Sequence, residues 1–143
     1  MTTADTTDTA AVRRERNIAV VREILAAFSA GDAEGLLAHV TDDVTYEAPY
    51  YETMGIKRTK AELAAMLAAV EARFTSVFYG VVDVFPAVDP DLVIVEVRGD
   101  HEVKDSPNRY QNHYVMFLRF RDGLVAEWRE FSNPDVYRTA VGR

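Results

Sequence analysis

Glu130 is the residue around which the chemistry of this chain has to be argued. It lies in the run RYQNHYVMFLRFRDGLVAEWREFSNP, residues 109–134. The Asp122-Gly123 pair between alternating apolar segments predicts a two-stranded hairpin. Side chains two apart on a strand share a face, so Leu124, Ala126, Trp128 and Glu130 are expected on one face and Val125, Glu127, Arg129 and Phe131 on the other. Glu130 is then the one ionisable group among apolar neighbours. A carboxylate in that setting is costly unless it is paired, protonated or used. Two readings stay open: a paired structural glutamate, or an acid/base in a pocket.

Two further groups compete with it. In the run LVIVEVRGDHEVK, Arg98 and Asp100 share a face with Leu92, Ile94 and Glu96, while Val93, Val95 and Val97 cover the other. An arginine beside carboxylates keeps them ionised and oriented. The same charges also suit a solvated strand end, and parity leaves open which face is the pocket. On the strand before the hairpin turn, Tyr110, Asn112 and Tyr114 alternate on the face of Met116, Leu118 and Phe120. Tyrosine and asparagine can both donate to a ligand carbonyl or oxyanion. His39, His101 and His113 are isolated from one another and lack metal-ligand spacing, so no metal is expected. No Gly-rich phosphate loop, nucleophile elbow or Ser/His/Asp order is present, and no cofactor is expected.

The elements that must hold these residues follow from periodicity. Residues 1–9 are Thr-rich and are expected to form a disordered tail before a single domain over residues 10–143. A helix is predicted from about Ala10 to Ala30, with Val21, Ile24, Leu25 and Phe28 at helical spacing. Gly31 suits its C-terminal cap, and Asp32 can cap a short second helix through Leu36, Leu37 and Val40. Thr45 to Ala48 reads as a short strand. The loop PYYETMGIKR follows, and its Tyr50, Tyr51 and Met54 are suited to line or lid a cavity. Thr59-Lys60-Ala61-Glu62 is a capping box opening a third helix, whose stripe Leu63, Met66, Leu67, Val70 and Phe74 reads as core packing. Strands are then predicted over Val77–Phe85 and Leu92–Lys104, ahead of the hairpin, and the tail after Pro134 is expected to form at most a helical turn. Helices first and a four-stranded antiparallel run after them is an α+β pattern, with room for a ligand between sheet and helices.

Composition narrows the function classes. A chain of 143 residues, 48% hydrophobic and 27% charged, is ordinary for one globular domain. A net charge of −7 with scattered basic residues argues against nucleic acid. The absence of cysteine excludes disulfides and thiolate chemistry. No run approaches the ~20 apolar residues of a membrane span, and the start lacks a signal-peptide pattern, so a cytoplasmic protein with no membrane partner is expected.

The runs FSAGDAEGLLAHVTDDVTYEAP, VEVRGD and YQNHYVMFLRFRDGLVAEWREFSNP together resemble the nuclear transport factor 2-like superfamily. Within it they are most similar to the SnoaL-like polyketide cyclases and the phenazine-biosynthesis proteins of the PhzA/PhzB type. The resemblance covers about residues 17–134, and its most specific part is the REFSNP ending after the Asp-Gly turn. It implies a cystatin-like conical barrel, in which a curled, mainly antiparallel sheet packs on three N-terminal helices. It also implies a pocket between the layers and a homodimer. Where ketosteroid isomerases carry their general base this chain has Ala48, and their oxyanion tyrosine falls at about Ile24. Limonene-type epoxide hydrolases are matched in type by Arg98, Asp100, Glu130 and Tyr46, but Ala48 replaces an asparagine that holds the attacking water. The phenazine-type proteins use a last-strand glutamate, matched by Glu130, and a loop histidine with no counterpart between Pro49 and Lys60.

The resulting expectation is a cofactor-independent cyclase, isomerase or condensing enzyme of secondary metabolism, acting on an apolar carbonyl-bearing molecule. Glu130, Asp100 and Arg98 are the expected catalytic residues, and Tyr46, Met54, Tyr110, Asn112, Tyr114 and Trp128 the expected ligand contacts. Epoxide hydrolysis by the Asp100, Arg98 and Glu130 set is the rival within enzymes. A non-catalytic binding or dimer-assembly module is the rival from another class.

Overall fold

The computed structural model describes residues 9–142. Of the expected tail, residues 1–8 lie outside the described residues, while Thr9 is the N-cap of the first helix and accepts from the Val12 N–H. That helix, α1 (Ala10–Ser29), ends where predicted: Gly31 turns the chain at φ 70°, a conformation glycine takes without strain. Asp32 then caps α2 (Ala33–Leu37) by accepting from Gly35 N–H at 2.9 Å. Here the structure departs from the sequence reading. Val40 is not helical but opens β1 (Val40–Glu47), a strand of eight residues rather than four. Thr59 caps α3 (Lys60–Arg73) as expected by accepting from Glu62 N–H, but the reciprocal bond is shifted by one residue, with Glu62 accepting from Arg58 N–H rather than from Thr59.

The sheet has six strands among the described residues: β1, β2 (Phe74–Ser76), β3 (Tyr79–Pro86), β4 (Leu92–Val103), β5 (Arg109–Arg121) and β6 (Leu124–Phe131). Its order is β1-β6-β5-β4-β2, with β3 also pairing with β4. All pairings are antiparallel except β1 with β6, a parallel pair that the four-stranded reading did not contain. The long strand β4 serves two partners, β3 along residues 93–99 and β2 near residues 102–103. At the break between them Phe78 is held on both sides of its backbone. It donates to His101 Nδ1 at 3.1 Å and accepts from Asp100 N–H at 2.9 Å.

The β5–β6 turn has both central residues left-handed, Asp122 at φ 53° and Gly123 at φ 83°, as a two-residue hairpin with native twist requires. A bulge follows at once. Phe120 pairs with Val125 and Arg119 with Glu127, so Ala126 has no partner in the register. This corrects the simple alternation along β6. Val125, expected on the opposite face from Glu130, is fully buried together with Trp128, whereas Leu124 and Ala126 are only partly so. Beyond the bulge the expected parity holds, and Trp128 and Glu130 face the interior.

The concave face of the sheet carries Val93, Val95, Val97, Met116, Leu118 and Trp128, packed against Val21, Ile24 and Leu25 of α1 and Leu63 and Leu67 of α3. Asn17, fully buried, fastens α1 to the β3–β4 turn by donating to Pro90 O at 3.1 Å and Asp91 Oδ1 at 3.3 Å. After β6 the chain forms a fourth helix, α4 (Pro134–Val141), where only a turn was expected. Asn133 caps it and Pro134 occupies its first turn, where a missing N–H costs nothing. No helix is long and apolar enough to cross a membrane.

Candidate active site

The curled sheet, α3, α4 and the loop after β1 enclose a cavity of about 300 Å³. Its wall is largely aromatic and apolar. Tyr46, Tyr51, Tyr79, Tyr110, Tyr114 and Tyr137 contribute to it from four separate elements and the loop. Glu130 lines it as the one carboxylate.

The surroundings of Glu130 explain its character. Burial pushes its carboxyl up to about 7, against the pull of the Tyr46 hydroxyl and the Trp128 indole, which favour the ionised form. The Trp128 N–H is fully buried without a well-aligned acceptor, so its hold on the carboxylate is weak. Tyr46 and Trp128 meet edge to face at 5.5 Å, which fixes both beside the glutamate. Burial also raises Tyr46, Tyr79 and Tyr114 well above the ordinary phenol, and the negative charge on Glu130 adds to this. These phenols are therefore neutral donors near neutral pH.

A chain of hydroxyls runs from Tyr114 through Tyr110 and Tyr51 to Ser132. Tyr114 donates to the Tyr110 oxygen at 3.0 Å, Asn112 Nδ2 donates to the same oxygen at 2.8 Å, and Tyr51 lies 3.4 Å from it. Tyr51 in turn is 3.0 Å from Ser132 Oγ. Asn112 also donates to Asn133 O at 3.0 Å. Its amide is thus spent behind Tyr110, steadying that phenol and the start of α4. A wall of oriented hydroxyls opposite a carboxylate with a pKa near neutrality can take a proton from a carbon acid and stabilise the oxygen anion that forms.

Several of the expected residues come together here: Glu130, Tyr46, Met54, Tyr110 and Tyr114 all line the cavity. Trp128 and Asn112 stand one layer behind it. Arg98 and Asp100 do not join them. They project from the convex face of β4, where Arg98 is exposed and Asp100 pairs with Arg109 at 2.9 Å from both Nε and Nη2. The reason is alternation: the valines claim the concave face, and the charged residues between them point out. The Asp100, Arg98 and Glu130 set of the epoxide-hydrolase reading is therefore split across the sheet.

What the Arg98-Gly99-Asp100 segment does supply to the cavity is its glycine. A Cβ on Gly99 would stand 2.7 Å from the Tyr114 ring and 3.3 Å from His101 Nε2, so both rings lie against bare backbone. His101 is the main residue that the sequence reading passed over. Its parity with Val97 and Gly99 was the available signal, and it places the ring on the concave face, fully buried among Phe74, Tyr79 and Tyr110. Because Nδ1 accepts from Phe78 N–H, the proton of the neutral ring belongs on Nε2. Burial lowers its pKa to about 4, so the ring is neutral at working pH. Tyr79, Ser132, Tyr137 and Arg73 were missed as well. Tyr79 lay in a segment read only as strand, and Ser132 and Tyr137 lay at and beyond a strand end with no pattern of their own. Of the loop residues expected to line or lid a cavity, Tyr51 and Met54 line it and Tyr50 stays exposed. In the stripe read as core packing, Leu63 and Leu67 are core and Met66 and Val70 line the cavity, while Phe74, which opens β2 instead of continuing the helix, is core and lines the cavity as well.

Comparison with known proteins agrees with this architecture. A phenazine biosynthesis-related protein from Pseudomonas aeruginosa superposes with a TM-score of 0.82 at 21% identity, covering 95% of this chain and 86% of that one. An isomerase structure from Bacillus subtilis gives 0.81 at 21% identity, over 91% and 95% of the two chains. A polyketide cyclase structure from Xanthomonas campestris pv. campestris gives 0.71 at 19%, over 90% and 98%. In sequence, an uncharacterised PhzA/B-like protein of Pseudomonas aeruginosa is 36% identical over 70 residues, 49% of this chain and 46% of its own length. A second curated relative, from Bacillus subtilis, is 30% identical over 59 residues, 41% of this chain and 40% of its own, so the matches span less than half of each relative. The sequence model of the SnoaL-like domain matches residues 21–128, three quarters of the chain, and the chain belongs to that family.

Proposed function

We propose that the protein is a cofactor-independent acid–base enzyme that moves a proton on an apolar, carbonyl-bearing substrate, in a cyclisation, isomerisation or condensation. The observation that carries this reading is Glu130: a carboxyl raised to about 7, lining an aromatic cavity and facing neutral phenols. A general base is most effective when its pKa lies near the working pH. Glu130 abstracts the proton next to the carbonyl, and Tyr46 stabilises the ionised carboxylate in the resting enzyme. Tyr110 donates to the enolate oxygen, and the bonds it accepts from Tyr114 and Asn112 fix its orientation and leave its own proton for the ligand. Names borne by similar structures, polyketide cyclase and isomerase among them, are in keeping with that chemistry.

Hydrogen exchange tests the proposal. Conjugated cyclic ketones incubated with the protein in D2O should gain deuterium at the carbon next to the carbonyl faster than in buffer. Asp100→Asn should leave that rate unchanged, because Asp100 sits outside the cavity on Arg109. Under epoxide hydrolysis by the Asp100 set, the same variant would abolish diol formation from terpene epoxides while ketone exchange stayed at the buffer rate.

The convex face supports a homodimer. Ile94, Val115, Phe117 and Phe131 cluster there, with Tyr50 against Phe131 at 5.3 Å and the Arg129 guanidinium lying over both phenylalanine rings. The helices cover the concave face alone, so a second copy is the natural cover for these rings. Light scattering at micromolar concentration should give twice the chain mass, and Phe117→Lys should return the protein to a monomer. A wild-type monomer would remove the dimer from the reading.

A further inference from the structure

We infer that Arg73 is an anion anchor at the mouth of the cavity, so that the substrate is a flat, conjugated compound carrying a carboxylate at the end remote from its reacting carbon. The inference rests on the acid–base reading for which end reacts, but not for the anchor itself. Arg73 closes α3 and lines the cavity, where it is the only basic side chain besides the neutral His101. It has no carboxylate partner among the described residues. Its Nη1 donates to the Tyr137 hydroxyl at 2.6 Å, and its guanidinium lies 5.8 Å from the centre of that ring. Outside the cavity, Arg109 meets Asp100 and Glu102, Arg119 meets Asp89 and Arg138 meets Asp135, while Arg129 lies over Phe117 and Phe131 on the convex face. In a chain of net charge −7, an arginine at a cavity mouth that meets only a phenol is open to an anion from solution.

Geometry separates the two charged ends. Arg73 precedes Phe74, the first residue of β2, while Glu130 is on β6, and the sheet order β6-β5-β4-β2 puts three strand steps between them. Three steps are ~14 Å across the strands, and the register adds an offset along them, because Phe74 pairs with Val103 whereas Glu130 stands, through Met116, at the level of Val95. The groups that act on the Glu130 carboxyl are Tyr46 and Trp128, with no contribution from Arg73, in keeping with that separation. Between the ends run faces of Phe74, Tyr110 and Tyr137, with Phe74 and Tyr110 stacked at 5.8 Å and Tyr110 edge-on to Tyr137 at 5.3 Å. Aromatic walls favour a flat, conjugated body over a globular aliphatic one. A single anionic group is the limit, because a second carboxylate deeper in would meet Glu130.

Calorimetric titration of the full chain with 2-naphthoate and with its uncharged isostere 2-naphthamide tests the anchor. The acid should bind at least ~10-fold more tightly than the amide. Arg73→Gln should erase the preference, and Arg73→Lys should retain part of it. Tyr137→Phe, which removes the phenol contact but keeps the cation, should leave the preference in place. That outcome separates an anchor from an arginine that only positions α4. Equal binding of acid and amide, a preference that survives Arg73→Gln, or binding of neither compound at millimolar concentration would overturn the proposal. Glu130→Gln should keep or sharpen the preference. A protein that selects the acid through Arg73 but exchanges no carbon-bound hydrogen would therefore sink the acid–base reading and leave the anchor standing.

Discussion

Glu130→Gln is expected to slow proton transfer by ~10²–10⁴-fold while leaving ligand affinity almost unchanged. Glutamine keeps the shape of the side chain and its reach toward Tyr46, so the cavity stays intact. What it loses is the ability to accept a proton from carbon. The pH profile of the wild type should carry the same signature. With a carboxyl raised to about 7, the ionised base is scarce in mild acid and abundant above neutrality. The rate should therefore rise with pH, pass half-maximum near 7, and level off above it. If Glu130 worked as the acid the limb would be inverted, with the rate falling above 7. Tyr46→Phe removes a hydrogen bond that favours the carboxylate, so the midpoint should move up rather than down. A Glu130→Gln variant that turned over substrate at the wild-type rate would end the catalytic role of this residue. A midpoint near 4.5 would show that its environment is wetter than the cavity indicates.

Much of the fold was legible because it follows from local signals. The caps at Gly31, Asp32 and Thr59, the left-handed Asp122-Gly123 turn and the strand alternation each act over a few residues. The parallel pairing of β1 with β6 was not legible. It joins segments some 80 residues apart, and nothing in the Val40–Glu47 run marks its partner. Alternation identified which residues share a face but not which face is inside. Arg98 and Asp100 drew attention because charged residues advertise chemistry, yet on β4 the hydrophobic valines decide which side is buried. The same rule that sends those two charges outward sends His101 inward, and three residues of one strand thus changed roles together. Glu130 does line the cavity, and two independent signals pointed to it, its isolation among apolar residues and its place in the family pattern. The bulge at Ala126 shows how narrow that margin was. Had it fallen three residues later, Glu130 would have turned to solvent while the parity argument still placed it beside Trp128.

Placing two oppositely shifted groups in one core has a consequence for stability. The Glu130 carboxyl rises from 4.5 to about 7 on folding, so between those values the native state holds a proton that the unfolded chain has lost. Stability from this group is fullest below pH 4.5 and is lost as pH rises through 7, by ~3 kcal/mol in all. His101 falls from 6.5 to about 4, so in nearly the same window the unfolded chain binds a proton that the native state refuses. Its contribution is full above pH 6.5 and is lost as pH falls through 4, again by ~3 kcal/mol. Within pH 4.5–6.5 the two slopes oppose each other and nearly cancel. The wild type should therefore show an almost constant urea midpoint across that window. Glu130→Gln should unmask the histidine, giving a protein that gains stability steadily from pH 4.5 to 6.5. His101→Asn should do the reverse. The asparagine carbonyl can still accept from Phe78 N–H, and with the histidine titration gone the variant should lose stability as pH rises toward 7. Parallel urea titrations of the three proteins at half-unit pH steps read both slopes directly. Two variants with the flat profile of the wild type would mean that neither group is desolvated, and the raised carboxyl on which the proton-transfer reading rests would go with them.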